Sequence, residues 1–365
     1  MLDLAWLPDL LSTPGVSGRE APVRAWLETR WAELADEVWT TPSGSLVARR
    51  RGTAAGTRPR VMLTAHMDTI GLVVAWVDRG WVGLAPIGGI DTRWLPGQGV
   101  WIWPRAGGEP IFGVVRRVPH GEPPDQGNKP PSWDALRVET ALPAESLAQR
   151  VRPGDPVTWA RAARYLGRDL ILGPGLDNRV SVAALTLTLE MLATCQHAWD
   201  VLVVATSQEE TTMTGAATAT FALEPDLAVV VDVTFAREPG VQGPTSFPMG
   251  RLALGWGANL HPWVFHQLRA WAQALDIPYE VDYLPNMSGT DAMAVQVARA
   301  GVPTGLVSIP LRSMHTPVER VHLDDIRRAA RLLAAFAQSL DTDALTHVRT
   351  AWTEGAAWLH RPDAS

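Results

Sequence analysis

Six histidine and carboxylate side chains each follow a short run of apolar residues, and these residue types are the usual ligands of divalent metal ions. They are His66, Asp177, Glu209, Glu210, Asp232 and His315. The run before Asp232, for example, is Leu227-Ala228-Val229-Val230-Val231. Two imidazoles with three or four carboxylates favour a metal site, provided that the fold brings them together.

The apolar runs indicate which elements position these side chains. Runs of four to eight apolar residues are typical of strands buried on both faces of a parallel sheet. In open α/β sheets the ligand crevice lies beyond the carboxyl ends of the strands. We therefore expect side chains that are distant in sequence to converge on one edge of one sheet.

His66-Met67-Asp68 places two polar side chains two residues apart at a predicted strand end. Because side chains alternate along a strand, His66 and Asp68 should lie on one face. One of them could bind a metal ion while the other orients the ring or a neighbour. The alternative is an ordinary surface or structural pair.

Glu209 and Glu210 are adjacent carboxylates after the run Val201-Leu202-Val203-Val204. Adjacent strand residues point to opposite faces, so both cannot bind the same ion without a bend in the chain. The pattern favours a division of roles, in which one carboxylate binds metal and the other acts as general base. The alternative is a solvated strand end.

The remaining candidates have structural alternatives as well. Asp177 could be the N-cap of the helix that follows it, a metal ligand, or both. Asp232, after its valines, requires a cation or hydrogen bonds because burial of an unpaired carboxylate is costly. His315 could be an ordinary loop histidine, and His120 is a further candidate if its segment leans over the site.

Composition excludes several classes of function. The chain has 365 residues, 46% of them hydrophobic, and a net charge of −6, which gives no indication of a nucleic-acid partner. Cys195 is the only cysteine, which excludes an intrachain disulfide and a zinc–thiolate cluster; we expect it to be a small buried filler. No apolar run approaches about 20 residues, so we expect no membrane-spanning helix. The N-terminus is a poor signal peptide, so we expect a cytoplasmic location.

Two kinds of sequence pattern divide the chain into segments. Residues 69–165 alternate Val, Trp, Ile and Gly with turn signals, which predicts a small all-β unit inserted into an α/β domain formed by residues 1–68 and 166–365. We predict a mainly parallel mixed sheet flanked by helices. The predicted helices begin with a capping box at Ser17–Glu20 and continue with 142–149, Asp177-Asn178 to Leu192, Met213 to Leu223, one capped by Asn259, Thr290 to Gly301, and a final helix from Ile326 to Leu340.

Taken in order, these motifs give the sequence a family resemblance. It resembles the tetrahedral (TET) metalloaminopeptidases, a family also known as glutamyl or deblocking aminopeptidases and sometimes as endoglucanases. The resemblance covers nearly the whole chain and is carried by Ala65-His66-Met67-Asp68, Pro86-Ile87-Gly88-Gly89, Leu95-Pro96-Gly97-Gln98, Leu176-Asp177, Gln208-Glu209-Glu210, Val231-Asp232-Val233-Thr234, Gly289-Thr290-Asp291-Ala292 and Met314-His315-Thr316-Pro317-Val318-Glu319.

The resemblance implies a zinc-exopeptidase-like fold and roles for individual residues. It implies that two divalent ions, zinc or cobalt first and manganese also possible, are held by His66, Asp177, Glu210, Asp232 and His315, with Asp177 bridging them. Glu209 would be the general base, and Asp68 would orient His66. The insert would serve dimerisation or act as a lid, and the chain would form homo-oligomers from dimers to tetrahedral dodecamers. The sequence departs from the family pattern at Thr69, Asn178, Ser45 and Ser288, none of which is a predicted ligand.

The expected function is therefore removal of N-terminal residues from peptides with a free N-terminus, through a metal-activated water. Three alternatives remain open. A glycosidase would need two carboxyls roughly 5–10 Å apart and no metal. The others are a non-catalytic oligomeric scaffold and a related metallo-deacylase or carboxypeptidase.

Overall fold

The computed structural model describes residues 2–118, 129–240 and 245–351, which form a mixed α/β fold with a large sheet and a separate closed barrel. His120 lies outside the described residues. The helices are α1 Leu7–Ser12, α2 Ala21–Trp31, α3 Ala144–Arg150, α4 Leu176–Leu192, α5 Glu209–Thr212, α6 Thr214–Leu223, α7 Pro262–Ala274, α8 Ala292–Gln296, α9 Leu323–Ser339 and α10 Ala344–Thr350. The strands are β1 Glu37–Thr40, β2 Leu46–Arg50, β3 Arg60–His66, β4 Gly71–Asp78, β5 Trp81–Ile87, β6 Gly99–Ile102, β7 Ile111–Arg117, β8 Leu136–Thr140, β9 Pro156–Trp159, β10 Arg164–Leu166, β11 Leu170–Gly173, β12 Asp200–Thr206, β13 Leu227–Phe235, β14 Leu252–Gly257, β15 Tyr279–Leu284, β16 Thr304–Arg312 and β17 Glu319–His322.

The large sheet is mixed rather than mainly parallel. Its main path runs β1-β2-β12-β3-β13-β16-β17-β11-β10, with β14 and β15 branching from β16. The central strands β12, β3, β13 and β16 are parallel, whereas β1 and β2 on one side and β17, β11 and β10 on the other pair antiparallel. A short turn after Thr40 joins β1 to β2, and so short a connection permits only antiparallel pairing.

Side-chain alternation along the central strands divides the core into two layers. Val61 and Leu63 of β3 pack with α2, α4, α7 and α9 on one face, while Met62 packs with α6 and α8 on the other. Every residue of α4 from Leu176 to Leu189 is buried, because this helix lies against both the sheet and α9. Among the described residues, no helix is both long and apolar enough to cross a membrane.

The predicted β-rich insert contains a closed barrel with the strand order β4-β5-β8-β7-β6-β9. Its interior is filled by alternate apolar side chains, such as Leu72, Val82, Val100, Val138 and Val157. Closure leaves no exposed strand edge within the barrel. The next strand, β10, already pairs with β11 in the large sheet.

Several helix predictions are corrected at their ends. The segment from Thr290 to Gly301 forms only the short helix α8. Asn259 does not cap α7, because the N-cap residue is His261, and the Asn259 side chain instead donates to Ser288. Helix α9 begins before Ile326 and is followed by α10, so it is not the final helix.

The expectation that Cys195 is a buried filler was wrong. Cys195 is exposed. It follows α4 after the helix has ended at Leu192, so the apolar stretch Met191-Leu192-Ala193 does not carry it into the core.

Candidate metal centre

Two groups of metal-type ligand atoms lie side by side and share Asp177. One group contains His66, Asp177 and Asp232, and the other contains Asp177, Glu210 and His315; within each group the ligand atoms all lie within 4.8 Å of one another. His66 Nε2 is 3.3 Å from Asp177 Oδ1, and His315 Nε2 is 3.3 Å from Asp177 Oδ2. The fold therefore brings together all five side chains that the sequence marked as ligands.

These side chains come from strands, a helix start and a loop. His66 is the last residue of β3, but Asp232 lies inside β13 rather than at its end. Asp177 lies in the first turn of α4, where its own backbone is not helical, and Gly175 occupies the N-cap position. The N-cap role considered for Asp177 is therefore not fulfilled. His315 lies in the loop after β16 with a left-handed backbone conformation, φ 61°.

Glu209 and Glu210 lie on a short helix, so the alternative of a solvated strand end is not what the structure shows. Strand β12 ends at Thr206, and Gln208 reverses the chain with φ 60° before the short helix α5 begins at Glu209. Glu210 Oε2 consequently lies 3.4 Å from His315 Nε2, while Glu209 Oε2 lies 3.8 Å from His66 Nε2. The two neighbours thus face different histidines.

Asp68 supports both sides of the centre. Its carboxylate accepts hydrogen bonds from the backbone N–H groups of Glu209 at 3.1 Å and Glu210 at 3.2 Å. Its backbone carbonyl lies 3.0 Å from His66 Nδ1, closer than its carboxylate Oδ1 at 3.6 Å. Since a carbonyl can only accept, Nδ1 carries a proton, and Nε2 is the ring nitrogen that faces Asp177 and Asp232.

Sequence reasoning gave Glu20 the wrong role. It was expected to close a capping box with Ser17, but the Ser17 hydroxyl contacts Thr211. The Glu20 carboxylate instead accepts from the backbone N–H groups of Gly18 at 2.7 Å and Gln208 at 3.0 Å. It therefore stabilises the reversal at Gln208, a role that the local spacing of Glu20 could not reveal.

Two further carboxylates near the centre received no role from the sequence, although both lie in motifs that carried the family resemblance. Glu319 accepts from the backbone N–H groups of Asp177 and His315. Asp291 is fully buried and accepts from the Thr206 hydroxyl. Burial raises the pKa of Asp291 to about 7. The only sequence signal for Asp291 and Glu319 was that each lies in a motif of the family resemblance. Composition and residue spacing did not indicate a role for either residue.

The electrostatics of the centre favour a cation. Burial raises the pKa of Glu209 to about 9 and also raises the pKa values of Glu210 and Asp232, with neighbouring carboxylates adding to the effect. Burial opposes ionisation of Asp177 too, but its contacts with His315 and His66 prevail and lower its pKa. Contacts with Asp177 and Glu210 raise the pKa of His315 to about 11. A divalent cation among these groups would stabilise the ionised carboxylates and the neutral imidazoles.

The donor geometry fits metal ions as well. Donor atoms about 2.0–2.1 Å from a tetrahedral ion lie roughly 3.3 Å from one another. Asp177 lies 3.3 Å from Nε2 of both His66 and His315. Glu210 lies 3.4 Å from His315 Nε2, and Asp232 lies 3.7 Å from His66 Nε2. Glu210 Oε1 is buried without a hydrogen-bond partner among the described residues. Mixed imidazole and carboxylate donors accept zinc, cobalt or manganese.

Comparisons with known proteins show which family the chain belongs to. A family model described as M42 glutamyl aminopeptidase matches residues 44–332. The lysyl aminopeptidase of Pyrococcus furiosus is 32% identical over 348 residues, which cover 93% of this chain and 98% of that protein.

Solved structures share the fold across almost the whole chain. Aminopeptidase APDkam598 from Desulfurococcus kamchatkensis is 30% identical, with a TM-score of 0.86 and coverage of 94% of this chain and 96% of that one. The Pyrococcus horikoshii TET1 peptidase, which can assemble into a tetrahedron or a large octahedral shell, shares the fold at 23% identity, with a TM-score of 0.77 and coverage of 92% and 98%. The resemblance to TET aminopeptidases is thereby confirmed, and the chain belongs to the M42 glutamyl aminopeptidase family and is an aminopeptidase.

Proposed function

We propose that this aminopeptidase works with two divalent ions, zinc or cobalt in the first place and manganese as an alternative. His66, Asp177 and Asp232 would hold one ion, and Asp177, Glu210 and His315 would hold the other. The observation that carries this proposal is the geometry of Asp177, whose two oxygens each lie 3.3 Å from a different histidine. A carboxylate placed in this way is suited to bridge two ions.

Glu209 is the proposed general base. Its carboxylate lies beside the two groups, 3.8 Å from His66 Nε2, and belongs to neither. When bound, the ions would supply Lewis acidity and ease deprotonation of the attacking water. Glu209 accepts the proton from the water that attacks the peptide carbonyl carbon, and it returns this proton to the amine nitrogen when the C–N bond breaks.

The proposed substrates are peptides with a free N-terminus. Membership of the M42 glutamyl aminopeptidase family supports this proposal. Gly89 of the insert, which we propose as a separate unit of residues 69–165, lies close to the His315 ring: a Cβ atom at Gly89 would be 3.1 Å from His315 Nδ1.

We also propose that the chain forms a homo-oligomer, up to a tetrahedral dodecamer, through the insert. The assembly of the Pyrococcus horikoshii relative supports this proposal. On the barrel, Trp94 is 46% exposed and Phe112 is 49% exposed. Exposed aromatic side chains of this kind are enriched at protein interfaces.

The proposed function is tested with aminoacyl p-nitroanilides of lysine, glutamate and leucine, and with one peptide in free and N-acetylated forms. We expect cleavage of free substrates only, its loss after treatment with a chelator, and its recovery on addition of zinc, cobalt or manganese. Equal cleavage of the acetylated peptide, or activity that survives the chelator, would contradict the proposal. Cleavage of cellulose that survives the chelator would instead support a glycosidase.

A further inference from the structure

Glu319, the first residue of β17, connects two segments of the candidate metal centre. Its Oε1 accepts from the backbone N–H of His315 at 2.9 Å, and its Oε2 accepts from the backbone N–H of Asp177 at 3.2 Å. Asp177 belongs to the start of α4 and His315 to the loop after β16, and their side chains meet at 3.3 Å. One carboxylate thus fixes the separation of two backbone segments whose side chains face each other.

Only a carboxylate can make both contacts. A glutamine side chain of the same shape has one acceptor oxygen, and its NH2 group would face a backbone N–H donor. Glu319 is 1% exposed, and within the part of the chain that the structure describes it forms no ion pair with a basic side chain. Burial of a carboxylate costs free energy. If only one hydrogen-bond acceptor were needed at this position, a neutral side chain would supply it at a lower cost.

The backbone that Glu319 fixes is in a conformation that non-glycine residues rarely adopt. Ser313 has φ 58° and His315 has φ 61°, both in the left-handed region. Such conformations persist where the surroundings over-determine them. The hydrogen bond from His315 N–H to Glu319 is one of those constraints, so its loss would free the segment to withdraw the ring from Asp177 and Glu210.

We propose that Glu319 is a positioning residue that enables the group Asp177, Glu210 and His315 to hold its ion. This inference rests on the proposed two-metal function. The group His66, Asp177 and Asp232 shares Asp177, but its other two members are held without Glu319: Asp68 orients His66, and Asp232 is set by its own strand. Loss of Glu319 should therefore weaken one ion selectively.

Glu319→Gln tests this selectivity. Wild-type and variant proteins are stripped with a chelator and titrated with Co²⁺, and uptake is followed by elemental analysis and by the ligand-field absorption spectrum. We expect two ions per wild-type chain, and a second ion bound about 10–100-fold more weakly by Glu319→Gln. Wild-type affinity for both ions in the variant would overturn the proposal.

Two variants separate positioning from general damage. Glu238 lies beside the same loop, where its Oε1 accepts from both Ser313 N and Ser313 Oγ, so Glu238→Gln keeps the needed acceptor and should bind both ions normally. An equal loss of the second ion in Glu238→Gln would attribute the effect to loosening of the loop and overturn the proposal. Glu319→Asp keeps the charge and both acceptors on a shorter side chain, and should bind the second ion more tightly than Glu319→Gln.

The same titration distinguishes this inference from the function on which it rests. If Glu319→Gln does not fold, as judged by circular dichroism, Glu319→Asp decides: its shorter side chain should hold the two N–H groups less well, so selective weakening of the second ion supports the positioning role, whereas wild-type binding of both ions, or loss of both ions together, contradicts it. A wild-type chain that takes up fewer than two ions would refute the two-metal function and the positioning role together. Two ions in wild type, bound with the same affinities in every variant, would refute the positioning role alone.

Discussion

The carboxylate of Asp68 accepts a hydrogen bond from the backbone N–H of Glu209 at 3.1 Å, and thereby fixes the proposed general base from the segment that follows β3. The same carboxylate accepts from the N–H of Glu210 at 3.2 Å. Asp68 is fully buried, so water cannot replace it as the acceptor. The position of the base therefore depends on a residue that need not touch the substrate.

Asp68→Asn should lower kcat while the chain remains folded. An asparagine can accept only one of the two N–H groups, so the start of α5 should shift. We expect kcat to fall by about 10–100-fold, as is usual when a group that orients a metal ligand is lost. Steady-state kinetics on a p-nitroanilide measure the change.

Asp155→Asn is the matched control for Asp68→Asn. Asp155 is also a buried aspartate that accepts two backbone N–H groups, those of Arg105 and Arg152, but it lies in the barrel. Its variant should lose stability and keep kcat. A similar fall of kcat in both variants would assign the Asp68 effect to lost stability.

Glu209→Gln should separate metal binding from turnover. Glutamine preserves the shape of the side chain but cannot accept the proton of the attacking water. We expect metal content to stay unchanged and kcat to fall by about 10²–10⁴-fold, the usual contribution of general acid–base catalysis. Elemental analysis and kinetics on the same preparation test this, and retained activity would remove Glu209 from the role.

Arg179→Met should destabilise the fold. Arg179 is 2% exposed, and its guanidinium donates to the backbone carbonyls of Leu10, Leu11, Thr13 and Met67. Removal leaves buried acceptors without their donor, which should cost about 3 kcal/mol or more. Tm should fall by about 4 °C, whereas the exposed Arg168→Met control should leave it unchanged. An unchanged Tm for Arg179→Met would show that these contacts are not stabilising.

His261 should make stability depend on pH below neutrality. Burial lowers the pKa of His261 from 6.5 to about 4. Between these values the unfolded chain binds a proton that the folded chain does not, so stability is complete above pH 6.5 and falls as pH falls towards 4. The contribution lost at pH 5 is about 2 kcal/mol.

His261→Gln should remove this dependence. Urea unfolding at pH 7.5 and pH 5, with both proteins stripped of metal by a chelator, should show a larger loss for wild type than for the variant. Equal losses would mean that His261 titrates normally in the folded chain.

Most of the candidate centre could be predicted because strand ends determine where side chains converge. His66 and Asp232 follow from buried apolar runs, and parallel pairing places Thr206, near Glu209, directly beside His66. The sequence could not show the reversal at Gln208. That left-handed conformation is supported by hydrogen bonds to Glu20 and Asp68, which are 188 and about 140 residues away.

The errors in the fold prediction have related causes. Apolar runs identify buried strands, but they do not report direction, so the antiparallel flanks β1, β2, β17 and β11 were not anticipated. Glu20 has the spacing of a capping box, yet a tertiary partner competes successfully for its carboxylate. In both cases a contact between distant segments decided the outcome.

Anomalous X-ray diffraction from crystals loaded with zinc, recorded at the zinc absorption edge, tests the proposed two-metal centre most directly. We predict two peaks about 3.5–4 Å apart, one beside His66 and Asp232 and one beside Glu210 and His315, with Asp177 between them. A single peak, or peaks away from Asp177 in fully loaded and active protein, would contradict the two-metal centre.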